Sequence, residues 1–582
     1  MTRLWNDPAS FADDVVDGFV RANGRWVRRV PGGVSRSTRS VDPEVAVVIG
    51  GGSGHYPAFG GLVGPGLAHG AAMGQLFASP SAQQVESVVR ASEQGRGTLL
   101  TFGNYAGDVL HFGAAQEAVR KDGIDCRTVL VTDDIFSAPP GEQHKRRGIA
   151  GDLTVFKAAG AAAAAGYGID DVERVARAAN ARTRTMGVAF SGCTLPGADS
   201  PLFTVPEGRM AIGLGIHGEP GIELTDIPSA AGLAELFIRH LLGGPELPEG
   251  VQARGARVVP VLNGLGSVKS EELFVVFSRV AELLEEAGVE IVDPQVGEFC
   301  TSFDMAGVSL TLFWLDEELE RLWLAPADTP AFRTGAVDAG SLQTVADDDG
   351  AWPAEEDTLP ESSEDSRRAA ARIAAALGEM RTAIDEAAEE LGRIDAIAGD
   401  GDHGIGMQRG TAAASAAASG LAARGAGAQT VLALSGDAWS NRAGGTSGAI
   451  WGLILRTVAG HLGNTEPATA ARVAAGITAA KEAVMAYGKA SVGDKTLVDS
   501  LVPFADTLAA RVAAGNNLAD AWLAAAEAAT VAAETTANLL PGMGRARTHG
   551  EKSLGVPDPG AVSLALIARR VHAVLETAAV TA

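Results

Sequence analysis

The hydrophobic period of this chain changes once, across residues 345–366, and no single fold serves both sides of the change. Before it, short apolar and mostly β-branched runs end in Gly or Asp: VAVVIGG (45–51), GTLLTFG (97–103), TVLVTDD (128–134) and VVPVLNG (258–264). Helical patterns such as SAQQVESVVRASEQ separate them, which predicts α/β architecture with chemistry in the loops at strand ends. After it, Ile373, Leu377, Met380, Ile384, Ala387, Leu391 and Ile394 recur at steps of four and three, one stripe of a long helix. Alanine-rich helical segments fill the rest with no convincing strand, so residues 367–582 are expected to form an all-α domain of seven or eight helices. The stretch between, VADDDGAWPAEEDTLPESSEDS, carries nine acidic residues, two prolines and no Lys or Arg. It reads as a solvated linker, giving three parts: 1–340, 341–366 and 367–582.

At 582 residues the chain is too long for one core. Its formal net charge of −24 argues against nucleic acid or an anionic membrane surface as partner. Cys126, Cys193 and Cys300 are far apart and form no CxxC pair, as expected in a reducing compartment. The N-terminus lacks a signal pattern and no apolar run reaches membrane-spanning length, so a cytoplasmic protein is expected.

The breaks between helices carry chemistry. LGRIDAIAGDGDHGIGM (391–407) holds Asp395, Asp400 and Asp402, the last two alternating with glycine so that both can turn to one point. Converging carboxylates without a thiol suit Mg²⁺ or Ca²⁺ and are poor for zinc. An EF-hand begun at Asp400 fails, because position twelve is Thr411. That leaves a short Mg²⁺ cluster of the kind that holds nucleotide phosphates. RAGGTSGAIWG (442–452) is a Gly/Ser/Thr loop before an apolar helix, where free N–H groups and the helix dipole suit phosphate. YGKASVGDKTLVDSL (487–501) and GRARTHGEKSLGVPDPGA (544–561) are two more such breaks. Any one of them can be a plain helix connector; four together, one rich in aspartate, point to a nucleotide–metal site at one end of a bundle. GxxxxGK[ST] is absent, which excludes a P-loop. GLGIHG (213–218) matches GxGxxG, but Pro220 and Gly221 follow where a dinucleotide-binding helix should open.

In the first half, VVIGGGSGHYPAFGG (47–61) runs a strand into Gly52, Ser53, Gly54 and His55. Glycines let the backbone approach a small ligand, and the imidazole can exchange a proton near neutral pH. GNYAGDVLHFG (103–113) places Asp108 after another strand, where it reads equally as an N-cap for a helix from Val109. MAIGLGIHGEPG (210–221) sets His217 among glycines.

GGGSGHYP, GNYAGD, GIHGEPG, LNGLG and SFDMAGVSLTL together resemble the substrate domain of the dihydroxyacetone kinase family. DAIAGDGDHG, GGTSG, VGDKT and GVPDPGA resemble its ATP-binding domain. The resemblance runs from about residue 10 to 575, in the order of the single-chain ATP-dependent members, and implies two α/β subdomains in the substrate domain and a helical barrel in the nucleotide-binding domain. It implies that His217 forms a covalent hemiaminal with a short ketose, with His55 and Asp108 as acid–base pair and Gly52, Ser53 and Gly54 around the substrate. It implies that Asp395, Asp400 and Asp402 hold Mg²⁺ on ATP, with Gly401, His403, Thr446 and Ser447 at the phosphates. Gly488, Lys495, Asp558, Pro559 and Gly560 would surround the rest of the nucleotide. Phosphoryl transfer is mostly positioning and charge neutralisation, which this inventory fits.

Three departures bear on the substrate. Where dihydroxyacetone-specific members carry Lys before Asn-Tyr, this chain has Gly103; where they carry Glu and His in the catalytic loop, it has Tyr56 and Phe59. Losing the lysine frees volume beside the sugar, and the same departures resemble the erythrulose kinase branch. The expected substrate is therefore erythrulose, with dihydroxyacetone second. A phosphotransferase-system subunit is disfavoured by fusion of the two domains, and a ketose sensor by the presence of both His217 and the aspartates. A homodimer is expected, because acceptor and nucleotide sites must meet across the linker.

Overall fold

The computed structural model describes residues 4–345, 358–397, 399, 401–543 and 552–580. Two compact units divide the chain at Pro353 and Ala354. Most of the acidic stretch read as linker lies outside the described residues. Its described ends are structured: Leu342–Thr344 is a strand paired antiparallel with Thr38–Ser40, and a helix spans Glu364–Asp395, capped by the Ser363 hydroxyl.

The first unit contains two large sheets. One is six-stranded, in the order Val27–Val30, Gly33–Arg36, Gly70–Leu76, Ala46–Ser53, Thr98–Gly103, Cys126–Val131. Its last four strands are mutually parallel, as the alternation of apolar runs with helices predicts. The strands Ala46–Ser53 and Thr98–Gly103 are buried throughout, which is why they read as continuous apolar runs. The other sheet is mostly antiparallel. Glu223–Asp226, Arg209–Ile212, Thr183–Ala189, Gly307–Trp314 and Arg257–Gly264 follow one another across it, and only the short strands beyond run parallel. The 258–264 run is thus a central strand of an antiparallel sheet rather than part of a parallel βαβ series. An apolar run buried on both faces looks the same in either setting.

Eight α-helices make up the described part of the second unit, from Glu364–Asp395 to Pro559–Val580. Neighbours in sequence pack together, and the last helix packs against the first, so the helices close into a ring. The stripe on the first helix faces inward: Leu377, Met380, Ile384, Leu391 and Ile394 are buried, and Ile373 and Ala387 pack against them. Each fully buried Leu or Ile contributes about 1.5–3 kcal/mol, so the stripe holds this helix in place more than its intrinsic propensity does. No described helix is long and apolar enough to cross a membrane.

Candidate active site

One histidine hangs from each sheet of the first unit. His55 follows the strand Ala46–Ser53, and His217 lies in the turn between Arg209–Ile212 and Glu223–Asp226. Both are buried, and their Nε2 atoms are 3.1 Å apart with the rings edge to face. The glycines make the approach possible. A β-carbon on Gly52 would lie 2.8 Å from the Ala78 nitrogen, and Gly54 has φ +98° and sits against the Phe77 ring. Phe77, itself at φ 57°, stacks on His55 with ring centroids 4.9 Å apart. Ser53, read as a substrate contact, donates its hydroxyl to Gly74 O at 2.6 Å.

A third loop ties the histidine loops together. Thr301 N and Phe303 N donate to the carbonyls of His55 and Gly54, and Ser302 Oγ donates to Ile216 O at 2.5 Å. Asn263 braces that loop: its Oδ1 accepts from Phe299 N and Cys300 N at 2.8 and 3.1 Å, and its Nδ2 donates to Cys300 O at 2.9 Å.

Hydrogen bonding fixes the tautomers. His55 Nδ1 lies 2.7 Å from Thr301 O, which can only accept, so Nδ1 carries hydrogen. His217 Nδ1 lies 3.3 Å from Glu219 Oε1, and the same Glu219 accepts from His217 N at 3.1 Å. That Nδ1 carries hydrogen too. The two Nε2 atoms then face one another at 3.1 Å, a separation at which one proton can be shared between them. Behind the pair, Arg147 contacts Glu219 at 3.6 Å and Asp134 at 3.1 Å. Burial disfavours the Arg147 cation, but Glu219 and Asp134 outweigh it and hold its pKa above the ordinary value. Tyr105 covers His217 with centroids 4.6 Å apart and donates its hydroxyl to Gly148 O at 2.8 Å. Burial, with the nearby Glu219 charge, keeps the Tyr105 phenol protonated.

Asp108 is buried in the first turn of the helix Ala106–Lys121. Tyr105, not Asp108, occupies the N-cap, so the capping reading is wrong: the helix starts two residues before Asp108. Phe59 is buried against Phe156 and the face of Gly51, a core residue, and Tyr56 is 52% exposed.

In the second unit the sequence breaks converge. His403 Nε2 is 3.0 Å from Ser563 Oγ, and its Nδ1 is 3.3 Å from Ser447 Oγ, which joins the starts of three helices. Burial lowers the His403 pKa. Asp395 Oδ2 accepts from His403 N at 3.2 Å, and Asp402 is the N-cap residue of that helix. Gly444 and Gly445, at φ 60° and 58°, open the helix that carries Thr446 and Ser447; Thr446 is exposed. Asp558 accepts from Ala561 N at 2.7 Å. Its carboxyl is pushed up to about 7, first by burial and then by the charges of Asp395 and Asp499. Lys495 Nζ donates to Ser553 O and Leu539 O at 2.7 and 3.2 Å, two of its three N–H groups. Gly488 ends its helix with open space beside it, and Pro559 and Gly560 begin the last one. Asp400 and residues 544–551 lie outside the described residues, and among the described residues no three acidic, His or Cys side chains cluster as a metal site. Asp395 and Asp402 offer hard oxygens suited to Mg²⁺.

Sequence reasoning assigned no role to Glu219, Arg147, Tyr105, Asn263, Asp499 or Ser563. Glu219 and Asn263 stand inside quoted motifs, where their spacing to the histidine and to the strand end was the available signal.

Fold and site define a two-part protein: an α/β unit with a paired-histidine pocket, and a ring of helices with acidic and glycine-rich breaks at one end. The first part matches the Dak1 domain model over residues 17–331 and the second the DAK2 domain model over 397–573. The chain belongs to the dihydroxyacetone kinase family. It is 58% identical to an L-erythrulose kinase of Pectobacterium atrosepticum, over 99% of this chain and 97% of that one. It is 52% identical to a D-erythrulose kinase of Mycolicibacterium smegmatis, over 98% of each. The dihydroxyacetone kinase of C. freundii, solved with AMP-PNP and Mg²⁺, is 28% identical with a TM-score of 0.51, covering 98% of this chain and 99% of that one.

Proposed function

We propose that this protein is an ATP-dependent kinase that phosphorylates a terminal hydroxyl of erythrulose, captured as a hemiaminal on His217. The observation that carries this reading is the near-full-length likeness to two erythrulose kinases. In capture, His217 Nε2 bonds to the carbonyl carbon while the carbonyl electron pair moves to oxygen. That oxygen takes the proton from His55 Nε2, and the positive charge left on His217 faces Glu219. His55 is then neutral and, with Asp108, positioned to accept the proton of the attacking hydroxyl. A covalent bond suits a small sugar that offers few binding atoms. Asp395, Asp400 and Asp402 would hold Mg²⁺, which neutralises charge on the transferred phosphoryl group. The AMP-PNP and Mg²⁺ of the C. freundii enzyme support ATP and Mg²⁺ here.

Gly103 supports the tetrose, since a β-carbon there would lie 3.0 Å from the Tyr105 ring that covers His217, so any larger residue must displace that ring. The three buried free cysteines agree with a cytoplasmic enzyme, and a homodimer is the assembly we expect. The test is product formation from ATP, Mg²⁺ and D- or L-erythrulose with the purified protein alone, beside dihydroxyacetone. Turnover that requires a second phosphocarrier protein, or dihydroxyacetone alone as substrate, would overturn the erythrulose kinase reading.

A further inference from the structure

Gly103 keeps a side chain out of the wall beside Tyr105, but it offers nothing to meet the hydroxyl of a fourth carbon. A hydroxyl taken from water needs a hydrogen-bond partner in the pocket, and a pocket built to pair it rejects analogues that lack it. One buried polar atom beside Gly103 and Gly148 stands ready. Asp152, in the first turn of the helix Gly151–Ala164, is 4% exposed, and its Oδ1 has no hydrogen-bond partner among the described residues. That oxygen lies 2.9 Å from the point a β-carbon on Gly148 would occupy, and the Gly103 Cα lies 2.6 Å from the same point. Gly103 and Gly148 are pressed backbone to backbone, and the Asp152 oxygen sits against the pair. A β-carbon on Gly103 would itself lie 3.0 Å from the Tyr105 ring, the ring that covers His217. From the covalent histidine, the pocket wall therefore runs through Tyr105 and the two glycines to Asp152.

We propose that Asp152 is a specificity-determining residue, whose carboxyl pairs with the hydroxyl that a ketotetrose has and the triose lacks. The inference rests on the erythrulose reading and extends it to the group that recognises the sugar's length. Burial first, then Asp133 and Asp108, push the Asp152 carboxyl well above the usual range. The neutral acid favoured there offers both a donor and an acceptor, as a hydroxyl requires.

The experiment compares kcat/KM for erythrulose and dihydroxyacetone in the full-length wild type, Asp152→Ala and Asp152→Asn. Asp152→Ala should lose about tenfold or more on erythrulose and less than about threefold on dihydroxyacetone. Asp152→Asn keeps a donor and an acceptor and should stay within about threefold of wild type on both. Retained dihydroxyacetone turnover certifies that each variant is folded. An equal fold loss on both sugars, or a larger loss on dihydroxyacetone, would overturn the role of Asp152 while leaving the kinase reading intact. A wild type inactive on erythrulose would overturn both.

Discussion

The histidine pair and the aspartate turn of this protein are built in opposite ways. The histidine pair is assembled from residues far apart in sequence: His55, His217 and Thr301 meet through three loops and two sheets. At the start of the helix His403–Ala423, by contrast, Asp395, Asp402 and His403 come from a single turn between consecutive helices. The difference follows the chemistry. A covalent capture step needs two nitrogens and a carbonyl carbon within bonding geometry, so each ring is fixed at its second nitrogen. A cation gathers flexible carboxylates around itself and asks less of the scaffold before it arrives.

His217→Ala tests the comparison hardest. Without the nucleophile, turnover should fall about a thousandfold or more, and borohydride trapping followed by intact-mass measurement should show no adduct, while ATP binding stays normal. Undiminished turnover would end the covalent model. Next in size is Asp402→Asn, expected to cost about a hundredfold or more in Mg²⁺-dependent turnover. Ketose trapping on His217 should continue in that variant, and in the wild type stripped of metal by EDTA. Loss of trapping in either case would mean that the two sites do not work separately.

Glu219→Gln sharpens the account of the histidine pair. The amide removes the negative charge that balances the imidazolium, so adduct formation should slow by about ten- to a hundredfold, as expected for losing a charge-assisted hydrogen bond. Rapid-quench trapping measures it, and an unchanged rate would detach Glu219 from capture. The smallest effect belongs to Gly103→Lys. Its β-carbon must settle 3.0 Å from the Tyr105 ring, closer than ordinary contact. Overpacking of this kind costs about 1–3 kcal/mol, so roughly tenfold in kcat/KM for erythrulose, with dihydroxyacetone less affected. Equal losses would make Gly103 a backbone residue only.

What the sequence made legible is local. The apolar runs, the stripe from Ile373 to Ile394 and the glycine loops are set by neighbours a few residues away, and the structure places them as strands, helix and site loops. The antiparallel pairing of Arg257–Gly264 with Gly307–Trp314 was hidden, because strand direction is decided by a partner about fifty residues distant. The braces were hidden for the same reason. Asn263 earns its place through backbone groups at Phe299 and Cys300, and Arg147 through carboxylates at Asp134 and Glu219. Lys495, which the resemblance sets beside the nucleotide, donates to two backbone carbonyls that no motif announced.

Because each sheet supplies one histidine, a sugar captured as proposed would also be a staple. The bond at His217 would fasten the ligand to one sheet, and the hydrogen bond from its new hydroxyl to His55 would fasten it to the other. Melting of the first unit should therefore rise with ketose concentration by more than reversible contacts of so small a molecule would give, and the rise should vanish in His217→Ala. Ketose capture would then report, by simple thermal shift, how well two sheets are aligned.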